Sequence, residues 1–88
     1  MERYQKIIDL VFKKYYDEIN TLLPNKTYAN EIQNRLQYAS NRGDLISRKI
    51  NDMLAKEFTE SQLKKDNLQI RQSIINSYNE FVTYFRRA

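Results

Sequence analysis

Between Thr27 and Phe58 the small and apolar residues fall at Ala29, Ile32, Leu36, Ala39, Gly43, Ile46, Ile50 and Met53. Their steps alternate between three and four, the heptad seam of a helix packed lengthwise on other helices. The seam keeps its phase through Gly43, the only glycine, and so predicts one long helix over about residues 27–57. Asn41-Arg42-Gly43-Asp44 is the competing signal, with glycine as a C-cap and Asp44 as a new N-cap. A break there would give four helices in place of three, folded back as a compact bundle. If the helix runs on, Gly43 costs about 1 kcal/mol relative to alanine. Close approach of a neighbouring helix at Ala39 and Gly43 would offset that cost.

Two flanking helices follow from the same periodicity. The first covers about residues 2–23, with a stripe of Tyr4, Ile8, Val11, Tyr15, Ile19 and Leu22 widened by Ile7, Phe12, Tyr16 and Leu23. Leu23-Pro24 ends it, because the residue before proline is pushed out of the α region. Pro24-Asn25-Lys26 then reverses the chain, and Asn25 or Thr27 caps the second helix. Thr59 with Gln62 matches a capping box and opens a third helix over about residues 60–86. Its stripe is Leu63, Asn67, Ile70, Ile74, Tyr78, Phe81 and Phe85, with Leu68, Ile75 and Val82 beside it. The predicted fold is therefore an all-α antiparallel bundle of three long helices in one domain, residues 1–88.

Counting outward from the turns sets a register. Ile74 falls near Gly43, Tyr78 near Ala39, Phe81 near Leu36 and Phe85 near Ile32, so large residues meet small ones. Across the first turn Leu23 sits near Thr27, which carries Tyr4 only as far as Ile46. The hairpin from Ser47 to Ile70 then overhangs the bundle, leaving Ile50, Met53, Leu54, Phe58, Leu63 and Leu68 uncovered. A contiguous exposed apolar patch marks an interface, so these six form the predicted surface for a protein partner or a second copy. Tyr84 with Arg86 and Arg87 is a smaller alternative.

Composition narrows the chemistry. The chain has 88 residues, with 30% charged, one proline, no cysteine and no histidine. Thiolate and imidazole metal sites, His-based acid/base pairs and catalytic triads are thereby excluded, as is a phosphate-cradling glycine loop. A non-enzymatic protein without cofactor or metal is the expectation. No apolar run is long enough to span a bilayer, and without cysteine the cytoplasm is the default compartment. The net charge is +4. Arg35, Arg42 and Lys49 recur at heptad spacing on the central helix and form a candidate nucleic-acid stripe, the runner-up to protein binding.

Richness in Lys, Asn, Ile and Tyr gives the look of a product of AT-rich bacteria or their mobile elements. Leu45-Ile46-Ser47-Arg48-Lys49-Ile50, followed by Phe58-Thr59, is similar to the third helix and its exit in enterocin-A-type bacteriocin immunity proteins, antiparallel helical bundles of similar size. The chain departs from them in lacking the longer loop before that helix and the C-terminal tail. Phage-encoded inhibitors of host defence share its size and simplicity. Both resemblances imply a small protein that neutralises or regulates another protein.

Overall fold

The computed structural model describes residues 2–23 and 29–87. Among these the structure is all-α, in five helical segments: α1 Glu2–Leu22, α2 Ala29–Ser40, α3 Gly43–Glu57, α4 Glu60–Lys65 and α5 Asn67–Arg87. The Pro24-Asn25-Lys26 turn, the caps Asn25 and Thr27, and Tyr28 lie outside the described residues, as does the Ile32 side chain paired above with Phe85.

The count of three helices is corrected at two points. At Asn41-Arg42 the predicted central helix is interrupted. The Arg42 amide bonds to the Ala39 carbonyl at 3.2 Å, a tightened turn, and α3 restarts at Gly43. The chain does not fold back there: α2 packs on α5, whereas α3 packs on α1. The heptad phase survives because the interruption bends the rod without reversing it. The second interruption is Asp66 alone, between α4 and α5. Helical bonding passes through it, from the Asp66 amide to the Gln62 carbonyl and from the Ile70 amide to the Asp66 carbonyl.

Gly43 meets a neighbour as its place in the seam suggests. A Cβ at this position would lie 3.1 Å from the Tyr78 ring, whose hydroxyl donates to the Ser40 carbonyl at 3.0 Å. The counted register of α5 on the central rod therefore holds to within about one turn. The capping box also forms: the Gln62 amide donates to Thr59 Oγ1 at 3.2 Å, and the Thr59 amide donates to Gln62 Oε1 at 3.0 Å.

The register of α1 differs from the count. Arg35 reaches the end of α1, donating to the Leu23 carbonyl, where the count put position 27. At the other end the Tyr4 ring lies 4.7 Å from that of Phe58, beyond Ile46. The helix is displaced by about eight positions at one end and twelve at the other, or ~12–18 Å at 1.5 Å per residue. Apolar burial explains the direction. In the counted register Ile50, Leu54 and Phe58 stand uncovered; sliding α1 covers them while Tyr4, Ile7 and Ile8 are buried as well. The result is an elongated molecule, 48 × 19 × 19 Å.

Its core runs the length of α1. Ile8, Val11, Phe12 and Ile19 meet Ile46, Ile50 and Leu54 of α3 and Phe81 and Phe85 of α5. Near the last two, Phe12, Tyr16, Phe81 and Phe85 form an aromatic cluster with centroids 4.9–5.7 Å apart, edge-to-face except for the stacked Tyr16–Phe85 pair. Leu22, counted into the α1 stripe, is exposed instead.

Tyr4 closes the opposite end, its hydroxyl donating to Asp66 Oδ2 at 2.6 Å. That bond pushes the phenol up from its ordinary value of 10.0, with burial adding to the effect. The protonated phenol is thus favoured by the fold, so its contribution is fully present below pH 10 and is lost as pH rises above it. Tyr4→Phe is therefore expected to be less stable than the parent at pH 8, with the gap closing as pH is raised past 10. Urea unfolding of both chains across that range measures it, and a gap that stays constant with pH contradicts the assignment.

Candidate docking surface

The six residues predicted to be an uncovered patch are divided by the slide of α1. Ile50, Leu54 and Phe58 are buried against it, which corrects their reading as free surface. Met53 and Leu63 are half-buried against the core, and only Leu68 stands out, at 80% exposure. Phe58 is further covered by Arg3, whose guanidinium carbon lies 5.0 Å from the ring centre.

The predicted basic stripe is also broken. Arg35 is fully buried, donating to Asn20 Oδ1 at 2.6 Å as well as to Leu23, with its guanidinium 5.0 Å over the Phe85 ring. The Arg42 guanidinium carbon lies over the Tyr38 ring, 4.0 Å from its centre, and the group is pushed above its ordinary value by hydrogen bonding to Tyr38, against burial, with the charges of Tyr38, Glu18 and Tyr15 adding to it. Lys49 alone is exposed. Heptad spacing put the three on one line, but α1 and α5 cover different parts of that line. Tyr84, the alternative spot, packs edge-on against Tyr16 and Phe85.

What the slide leaves open is a groove of about 430 Å³ between α1 and α3. Val11, buried, forms its floor, and Met53 and Leu10 form its walls; Leu10 is 58% exposed. Lysines stand along both rims. On α1, Lys6 and Lys14 lie four residues either side of Leu10, and on α3 Lys49 and Lys56 lie four before and three after Met53, so each is a surface neighbour of its apolar residue. All four lysines are exposed, and the ion pair formed among the described residues, Lys13–Asp17, lies outside the group. Glu57 is the one carboxylate lining the groove.

Sequence reasoning missed Leu10 because it lies off the core stripe. Its signal was an isolated apolar residue on the lysine-bearing face of an amphipathic helix, where no intramolecular burial accounts for it.

A second cleft, about 490 Å³, opens between α3 and α5 where the central rod bends. Phe12 and Ile46 lie at its base, Ile74 and Tyr78 on one side, and Ser47 and Asp44 on the other. Its lining is mixed and carries a single carboxylate. No group of His, Asp or Glu side chains able to hold a metal ion occurs among the described residues, and no helix there is long and apolar enough to cross a membrane.

Comparison with protein-family models, with curated proteins and with solved structures finds no match to this chain.

Proposed function

We propose that this protein is a non-enzymatic helical module of the cytoplasm that acts by docking on another protein, which it inhibits or regulates. The supporting observation is the α1–α3 groove, where Leu10 stays 58% exposed beside half-buried Met53, with Lys14, Lys49 and Lys56 in the same lining. Burying the exposed part of such a leucine contributes on the order of 1 kcal/mol, an increment that a partner's apolar side chain would supply. The nucleic-acid reading has lost its stripe, because Arg35 is inside the molecule.

Native mass spectrometry on protein gently purified from the cells that make it, beside a Leu10→Asp variant, tests this. The wild-type chain is expected to carry added protein mass, a partner or a second copy, and the variant to lose it while its circular dichroism is unchanged. A bare monomer at all concentrations counts against docking. Added mass from nucleic acid favours the runner-up.

A further inference from the structure

The chemistry of the groove specifies its occupant more closely than the docking reading on which this step rests. We propose that the α1–α3 groove receives an acidic amphipathic helix of a partner protein, its apolar residues seated on Leu10, Val11 and Met53 and its carboxylates paired with Lys14, Lys49 and Lys56.

Three features of the groove carry this. The first is its charge: Lys14, Lys49 and Lys56 line the groove against the single carboxylate Glu57, and Lys6 lies one turn from Leu10 on α1. None of the four lysines is ion-paired among the described residues. An acidic partner would supply the missing countercharge.

The second is spacing. Lys49 and Lys56 are seven residues apart on one helix, about 10 Å at 1.5 Å per residue. A helix lying along the groove places carboxylates two turns apart at that same interval, with apolar residues three and four positions apart between them. This is the helix-in-groove mode, and two packed helices offer the channel it needs.

The third is relief. Of the lining residues Val11 is buried and Met53 half-buried, while Lys14, Lys49 and Lys56 are exposed. A bilayer surface takes the reverse arrangement, with apolar side chains projecting past the charges so that they reach the acyl region. A nucleic-acid backbone gains nothing from Val11, Leu10 and Met53, and Glu57 repels it.

A stapled helical peptide with leucines three and four residues apart, flanked by glutamates seven apart, serves as the probe, with counterparts in which glutamine or lysine replaces the glutamates. Titrated into the full ¹⁵N-labelled chain, the glutamate peptide is expected to shift the amides around Leu10, Lys14, Lys49 and Met53. Its affinity should exceed that of the glutamine peptide by about tenfold at low salt and converge on it at high salt. Lys49→Glu combined with Lys56→Glu should reverse the preference, taking the lysine peptide over the glutamate one. Both substitutions are on exposed positions, so the unchanged fold is verifiable in the same spectra.

Equal binding of the glutamate and glutamine peptides overturns the proposal, as does binding confined to the Leu68–Ile75 face or no binding at all. Stronger engagement of the same residues by phosphatidylserine vesicles or duplex DNA also overturns it. Failure here combined with added protein mass that depends on Leu10 leaves docking intact and removes only the acidic-helix assignment. A bare monomer in the native mass spectra removes docking itself.

Discussion

Replacing Arg35 with alanine is expected to cost about 3–5 kcal/mol, a large share of the roughly 4–13 kcal/mol available to a chain of this size. The side chain is fully buried, and its fork donates to Asn20 Oδ1 and to the Leu23 carbonyl. Leu23 directly follows α1, whose last carbonyls have no partners within the helix. A cation placed here satisfies one of them and opposes the negative end of the helix dipole. The stem meanwhile fills space over Phe85, so alanine removes packing, two donors and a favourable charge together.

Two further substitutions divide these contributions. Arg35→Met keeps much of the volume and avoids burying a charge, including the Nε that finds no acceptor, but strands both oxygens. Arg35→Lys keeps the charge but has no planar fork to serve both acceptors. Both are expected to fall between the parent and alanine in urea midpoint. A methionine variant as stable as the parent would show that the hydrogen bonds contribute nothing and that Arg35 does not hold the register of α1.

Phe81→Ala is expected to be comparably severe, at about 3–5 kcal/mol, and to lower the urea midpoint by roughly 2 M. Phe81 is completely buried, with the rings of Phe12, Tyr16 and Phe85 at 5.5, 4.9 and 5.2 Å. Two of those rings belong to α1, so the cavity would open where α1 and α5 are joined. Relaxation cannot fill it cheaply, because Tyr16 is also held by Tyr84 and Phe85. Phe81→Leu retains most of the volume and should lose much less. Leu68→Ala, at an 80% exposed position on the same helix, is the control and should stay within about 0.5 kcal/mol of the parent. Equal losses at Phe81 and Leu68 would contradict the placement of the core.

The two sites differ in how visible they were in the residues alone. Phe81 lies on a helical stripe with Ile70, Ile74, Tyr78 and Phe85, and period alone assigns it to packing. Arg35 gave the opposite impression, since a charged residue at heptad spacing with Arg42 and Lys49 reads as solvent-facing. Only the position of α1's carbonyl end reveals why it is inside.

The sequence by itself determined that the chain is helical, that Thr59–Gln62 opens a helix, and that Tyr78 meets the central rod within about one turn of Ala39. These rest on local chemistry or on counting from a tight, well-marked turn, where an error of one residue moves a contact by only about 1.5 Å. Tertiary structure decided the bend at Asn41-Arg42, the slide of α1 and the groove that follows from it. The seam's phase is the same for a straight rod and for a bent one that continues onward, so period does not distinguish them. The placement of α1 depends on covering Ile50, Leu54 and Phe58 at a distance of many residues, a balance of buried area that no local pattern encodes. Exposed Leu10 and half-buried Met53 were left in a groove with Lys14, Lys49 and Lys56 by that same balance, and the proposed docking surface is its consequence.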